Sequence, residues 1–119
     1  MATPSNFDET VTWISEIEIH DGKKDILLDM CKGLWERVAK SEPGTVVFEF
    51  YVEENDKIMW VYHRFANSEA AIKHLEDAVE FPKMMEHITY KGMRLLGSVD
   101  AKMMEVLEKF NPTKFDYAG

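Results

Sequence analysis

Two imidazoles in one short stretch of the chain could move a proton between a ligand and the protein. The stretch YHRFANSEAAIKHL (62–75) carries His63 where an apolar run ends and His74 in the segment that follows. An imidazole titrates near neutral pH, so either side chain is a candidate general base. Each also has a simpler interpretation, His63 as a neutral core histidine bonded to the backbone or to Ser15, and His74 as a solvent-facing residue beside Glu76. Both rings must face one cavity if the pair is to act together.

The four histidines of the chain do not predict a metal site. Their spacing contains no H-E-x-x-H pattern, and a single cysteine, Cys31, cannot supply a set of thiolate ligands. The sequence also contains no glycine-rich nucleotide loop and no G-x-S-x-G motif, so nucleotide binding and serine hydrolysis have no support.

Hydrophobic periodicity indicates which elements would position the two histidines. Alternation over 10–19 predicts a strand, and an apolar stripe over 23–40 predicts a helix that the SEPG sequence (41–44) ends. The β-branched and aromatic runs at 45–52 and 58–65 predict two further strands, joined by a two-residue turn at Asn55-Asp56.

The second half of the chain repeats the alternation of helix and strand. The predicted elements are a helix over SEAAIKHLEDAV capped by Asn67 or Ser68, a helical piece over FPKMMEHITY, a strand over 93–100, a short helix over AKMMEVLEKF and an edge strand in KFDYAG. The order β-α-β-β-α-β is that of an α+β, ferredoxin-like split βαβ fold. We expect one domain over residues 1–119, with 1–8 as a flexible N-terminal segment.

The predicted hairpin is apolar on both sides. Its register pairs Phe48 with His63, which puts both on the face that the helices cover. The opposite face carries Glu49, Tyr51, Trp60, Tyr62 and Arg64. Two helices cover only one face of a four-stranded sheet, so the second face would expose a large apolar patch. We therefore predict a homodimer that packs these faces together, with a Glu49–Arg64 ion pair helping to fix their register.

Composition indicates which classes of partner and which cellular compartment the protein could have. The formal net charge is −8, from 14 basic and 22 acidic residues, which argues against nucleic acid and anionic membrane surfaces. No apolar run is long enough to span a bilayer, and the opening MATPSNFDET lacks an apolar signal core. The single cysteine is typical of a reducing compartment, so we expect a cytoplasmic protein with no membrane partner.

The stretch EPGTVVFEFYVEENDKIMWVYHRFANSEAAIKHL (42–75) resembles the antibiotic biosynthesis monooxygenase family, including its small quinol monooxygenases. The matching features are the Glu-Pro-Gly turn, the aromatic strand and hairpin, Tyr62 and Arg64 at the end of the next strand, and the Ala-rich helix that carries His74. The resemblance implies a dimeric α+β barrel with a pocket in each subunit between the sheet and the helices. It also implies oxidation of a small phenolic or quinol compound by molecular oxygen, without a cofactor.

Placed on the predicted register, the resemblance implies a set of site residues. His63 and His74 would be catalytic. The substrate-binding residues would be Ser15, Phe48, Phe50, Val61 and Phe65 on the sheet, with His87 and Tyr90 on a helical lid. Two alternatives stay open, a non-catalytic small-molecule-binding or stress-response module of the same fold and a cofactor-free isomerase or lyase.

Two positions depart from the family pattern. His63 stands where family members often carry an acid, and Phe65 stands where many carry tryptophan. Haem-degrading relatives use an asparagine on the first strand, where this chain has Ser15. We therefore do not expect haem cleavage.

Overall fold

The computed structural model describes residues 9–118, so the predicted flexible segment 1–8 lies outside the described residues. The elements in chain order are β1 Val11–Ile19, α1 Lys24–Ser41, β2 Thr45–Val52, β3 Ile58–Phe65, α2 Ser68–Glu76, α3 Phe81–Met84, β4 Ile88–Leu96, α4 Ala101–Leu107, a 3₁₀ turn Glu108–Phe110 and β5 Pro112–Phe115. They form one five-stranded sheet in the order β2-β3-β1-β4-β5. The α+β ferredoxin-like prediction is confirmed, and the dimeric assembly remains a prediction.

Strand β1 lies in the middle of the sheet, and apart from Ser15 every second side chain on it is apolar. It pairs antiparallel with β3 on one side and with β4 on the other. Val11, Trp13 and Ile17 are 4% exposed or less, and they face the helices. This inner face forms the core and the floor of the site.

The central hairpin keeps the predicted register but not the predicted turn. Phe48 pairs with His63, as expected. The loop is longer than two residues, since Glu53 N donates to Ile58 O at 3.0 Å and the strands separate beyond that pair. Within the loop only Asp56 takes a positive φ, of 62°. A bulge between Thr45 and Val47 leaves Val46 59% exposed.

The predicted helix over 81–90 was wrong beyond its first turn. Helix α3 ends at Met84, and β4 begins at Ile88. Ile88 pairs with Ile19, and Tyr90 pairs with Ile17, so the backbone hydrogen bonds that β1 offers decide the conformation here. As a result Tyr90 lies on a strand, and His87 lies in the connection before it rather than on a lid helix.

The Glu-Pro-Gly turn brings the end of α1 against the start of α2. A Cβ atom on Gly44 would lie 2.5 Å from Cβ of Ala70, so only glycine allows this approach. Gly44 O accepts a hydrogen bond from Ala66 N at 2.9 Å. The same turn carries Glu42 to the side of α2 that faces the sheet.

The C-terminal part adds an edge strand, as predicted, although over a different range. Asn111 ends the 3₁₀ turn in the left-handed conformation, with φ 54°. Strand β5 then runs parallel to β4 from Pro112 to Phe115. Among residues 9–118, no helix has the length and apolar character needed to cross a bilayer.

Candidate active site

A cavity of about 500 Å³ lies between the inner face of the sheet and the helices. Its walls are mostly apolar, with aromatic, methionine and branched side chains from β1, β2, β3, α2 and the α3 region. Seven residues predicted from the sequence line it: Ser15, Phe48, Phe50, Val61, His63, His74 and Tyr90. A volume of this size is typical of small-molecule pockets, which span about 300–1,000 Å³.

Helix α2 presents His74 to this cavity. The helix starts at a defined residue because the Asn67 side chain accepts a hydrogen bond from Ala70 N at 2.9 Å. His74 is 5% exposed, and its Nδ1 lies 2.7 Å from Oε1 of Glu42. An ionised carboxylate only accepts, so Nδ1 carries the hydrogen and Nε2 keeps its lone pair. The arrangement therefore leaves the second ring nitrogen free to accept a proton.

Glu42 is a buried carboxylate with three donors. Its side chain is 2% exposed and accepts from Arg37 Nη1 at 2.8 Å and from Thr45 Oγ1 at 3.0 Å, besides His74. Burial by itself would raise the pKa of Glu42, but the hydrogen bonds from His74, Arg37 and Thr45 hold this pKa below its ordinary value. The site thus contains a fixed negative charge behind an imidazole.

His74 itself is neutral before a ligand binds. Burial lowers the pKa of His74 and outweighs the opposite effect of Glu42. The short contact between the two is therefore an N–H donated by a neutral ring to a carboxylate, rather than a permanent ion pair. Protonation of Nε2 would convert it to an ion pair.

His63 faces His74 from the sheet. The ring centroids of the two histidines are 5.2 Å apart, and those of His63 and Trp13 are 5.0 Å apart. Burial lowers the pKa of His63 well below 6.5, and the neighbouring His74 acts in the same direction. The Val61 backbone has a smaller, opposite effect on this pKa. His63 Nδ1 makes no hydrogen bond of normal geometry to any described residue. This imidazole is therefore a neutral ring in the wall of the cavity.

A second polar group lies on the neighbouring strands. Ser15 on β1 is 9% exposed, and Tyr90 on β4 lines the same cavity. Burial raises the pKa of Tyr90, while the Ser15 hydroxyl acts in the opposite direction. Tyr90 Oη is buried without a hydrogen bond of normal geometry to the described part of the chain. Tyr90 is therefore a neutral phenol whose oxygen is buried beside the cavity.

Two predicted substrate-binding residues do not line the cavity. Phe65 is fully buried, with its ring centroid 4.8 Å from that of Trp13 and 5.1 Å from that of His74. It supports the rings that line the cavity instead of contacting its contents. His87 is half-buried in the connection between α3 and β4, outside the lining, because β4 begins where a lid helix was expected.

The predicted dimer face lies on the opposite side of the sheet. Tyr51 and Trp60 are 55% and 40% exposed there, although both are large aromatic side chains. Tyr51 donates to Glu49 at 2.7 Å, and Arg64 Nε donates to Thr12 Oγ1 at 3.2 Å. Tyr62 is half-buried on the same face.

Sequence reasoning missed the residues behind the imidazole. The sequence marks Glu42 only as the first residue of the Glu-Pro-Gly turn, and no motif marks Arg37. No local pattern identifies them, because Glu42 and His74 are 32 positions apart and meet only when α2 packs beside the turn. Between residues 9 and 118, no cluster of three or more His, Cys, Asp or Glu side chains is arranged to hold a metal ion.

The fold and the site together define a ferredoxin-like α+β protein with an apolar ligand cavity and a carboxylate–imidazole pair in its wall. Residues 10–86 match the model of the family described as antibiotic biosynthesis monooxygenase, and the chain belongs to this family. The resemblance inferred from the sequence is confirmed at the level of the family. No curated protein matches the sequence.

Solved structures show the same fold at low sequence identity. MupZ from Pseudomonas fluorescens superposes with a TM-score of 0.83 at 16% identity, covering 93% of this chain and 92% of that one. A candidate antibiotic biosynthesis monooxygenase from Caulobacter crescentus gives 0.67 at 16% identity, covering 81% and 95%. Rv0793 from Mycobacterium tuberculosis gives 0.65 at 14% identity, covering 76% and 96%. Identities this low support the fold alone.

Proposed function

We propose that the protein is a monooxygenase that oxidises a small phenolic or quinol compound with molecular oxygen in this cavity, without a bound cofactor. Family membership supports the class of reaction. The observation that carries the mechanism is the 2.7 Å contact between His74 and Glu42 in the wall of an apolar cavity. It is the arrangement that a base needs if it is to take a proton from a neutral phenol.

We assign the base to His74 rather than His63. When His74 Nε2 takes a proton, the imidazolium lies next to the ionised Glu42, which stabilises the new charge. His63 has aromatic neighbours instead, so a cation there would be buried without a counter-charge. His63 is better suited to orient the ligand through a neutral hydrogen bond.

The chemistry balances without a further reductant. Loss of the phenolic proton to His74 gives a phenolate, which donates an electron to oxygen more readily than the phenol does. For a hydroquinone, one substrate and one O₂ give one hydroxyquinone and one water. One oxygen atom enters a new C–O bond in place of C–H, and the other is reduced to water. The substrate supplies all four electrons.

The remaining walls suit a flat aromatic ligand. Phe48 and Phe50 pack edge to face with ring centroids 4.9 Å apart, and both border the cavity. Such walls contact the faces of an aromatic ring and exclude water, which strengthens the electrostatic effect of Glu42 on the base. Tyr90 and Ser15 would bind a second oxygen atom of the ligand.

The direct test is oxygen uptake with a panel of phenols and quinols. We expect His74→Ala to lower kcat/KM by about 10²–10⁴-fold, as loss of a general base does, and His63→Ala to have a smaller effect. His20→Ala is the matched control, because His20 is exposed at the end of β1. Mass spectrometry with ¹⁸O₂ should show one labelled oxygen in the product.

The alternatives give different results in the same assay. No substrate-dependent uptake, or unchanged rates in both histidine variants, would contradict the mechanism. Turnover under strict anaerobiosis would indicate an isomerase or lyase. Thermal stabilisation by a ligand without turnover would indicate a binding module.

We further propose that the protein is a cytoplasmic homodimer. The exposure of Tyr51 and Trp60 on the sheet face opposite the cavity supports the dimer, because an apolar sheet face is stabilised by a partner. The single, buried Cys31 supports a reducing compartment.

A further inference from the structure

We propose that Arg37 is a positioning residue that ties Glu42, the partner of His74, to Glu80 in the cavity wall, so that the wall and the base belong to one network. This inference rests on the proposed function, since it assigns the residues that control the protonation state of the proposed base, His74. In this assignment the side chains of Arg37, Glu42 and Glu80 do not contact the reacting atoms and act only through His74.

The geometry of Arg37 carries the proposal. From helix α1, its Nε and Nη2 donate to the two oxygens of Glu80 at 2.5 and 3.0 Å, and its Nη1 donates to Glu42 at 2.8 Å. One guanidinium therefore binds two carboxylates from two different segments. Only the planar fork of arginine offers donors in both directions at once.

The network is sheltered from solvent. The side chains of Arg37 and Glu80 are each 26% exposed, and that of Glu42 is 2% exposed. Exposed ion pairs contribute little, but this one is mostly buried and continues into a hydrogen bond to His74. Loss of one member would leave another charge incompletely paired.

Glu80 connects the network to the contents of the cavity. It borders the cavity together with Phe81, Pro82, Met84 and Met85, which form the wall segment around α3. The Arg37–Glu80 pair anchors this segment to helix α1. A ligand that displaces the segment would therefore also disturb the charge distribution around His74.

The two ends of the network act on His74 in opposite directions. The positive charge of Arg37 lowers the pKa of His74, and the negative charge of Glu80 raises it. His74 is therefore a stronger base when Glu80 is in place and a weaker one when the wall segment moves away. The other titratable or charged groups near this cluster are Glu42, His63, Asp77 and its partner Lys73.

The test is an NMR titration of the His74 ring protons in the ligand-free protein, which does not depend on finding a substrate. We expect Glu80→Gln to lower the pKa of His74. Arg37→Gln should raise it, because the loss of the positive charge outweighs the release of Glu80. Arg37→Lys keeps the charge but not the fork, so it should restore part of the native value. Lys24→Gln is the matched control, since Lys24 lies on the same helix in an exposed pair with Asp56 and should leave the titration unchanged.

Unchanged His74 titration in both Glu80→Gln and Arg37→Gln, or shifts of the same sign in both, would overturn the proposal. If Arg37→Gln does not fold, Glu80→Gln and Arg37→Lys decide it. Once a substrate is known, the acidic limb of the kcat/KM profile should shift by the same amount as the NMR value in Glu80→Gln. If no phenol or quinol is turned over, the proposed oxidation fails while the titration still tests the network.

Discussion

The neutral, buried state of His63 should make the folded protein sensitive to mild acid. Burial lowers the folded-state pKa of His63 well below 6.5, so the folded protein binds less of this proton than the unfolded chain does as pH falls from about 7.5 to 5.5. The unfolded chain does bind this proton, because its imidazole is in water. The unfolded state therefore gains protons in this window, and the contribution of His63 to stability, full above 6.5, is lost as pH falls.

The size of the effect follows from linkage. The unfolded imidazole titrates in the middle of this window. The difference in proton binding between the folded and unfolded states can therefore lower the free energy of unfolding by up to about 1.4 kcal/mol. His63→Phe removes the titrating group and keeps an aromatic ring beside Trp13 and Phe48. Over the same window, the free energy of unfolding of the variant should therefore fall less than that of the wild type, by up to about 1.4 kcal/mol. His74 is present in both proteins, so its contribution to the pH dependence of the unfolding free energy cancels to first order in the comparison.

The assay is urea unfolding at several pH values, followed by tryptophan fluorescence. The control is His20→Asn, which changes an exposed histidine and should keep the wild-type pH dependence. Equal acid sensitivity in the wild type and His63→Phe would refute the reasoning, because it would mean that His63 is protonated in the folded protein or is not buried as described.

Three further predictions concern packing, reactivity and assembly. Gly44→Ala should lower the free energy of unfolding by about 1–3 kcal/mol, because the new Cβ would lie 2.5 Å from that of Ala70. Gly33→Ala in helix α1 should raise it by about 0.5–1 kcal/mol, because a Cβ there would meet nothing within 4 Å. Urea unfolding measures both changes. Cys31 should resist iodoacetamide in the folded state and react on unfolding, since burial raises its pKa to about 12; a mass-spectrometric time course that shows rapid native labelling would contradict this. Trp60→Glu should convert a dimer to a monomer in size-exclusion chromatography with light scattering, and a monomeric wild type would contradict the dimer proposal.

The hairpin shows what local sequence determines. Alternation in 45–52 and 58–65 places Phe48, Phe50, Val61 and His63 on one face, and the loop length fixes which of them are opposite. The actual loop is longer than predicted, but it opens symmetrically, so the register is the same. The aromatic and imidazole lining of the cavity on this side could therefore be predicted from the sequence.

The region from Phe81 to Tyr90 shows where local reasoning stops. Its composition is compatible with a helix, and a short one does begin at Phe81, with Pro82 in its first turn. From Ile88 onward, however, pairing with β1 provides backbone partners that a short isolated helix could not match. The position of Tyr90 in the cavity and of His87 outside it follows from that pairing.

The sequence by itself determined the fold class, the family resemblance and the two histidines, because these depend on periodicity and on short motifs. Only the tertiary structure decided which histidine has a carboxylate partner, since the residues involved come from three separate segments: Arg37 and Glu42 at the end of α1, His74 on α2, and Glu80 just before α3. The pKa of each group depends on burial and on neighbours that packing supplies, and no local pattern of residues encodes either quantity.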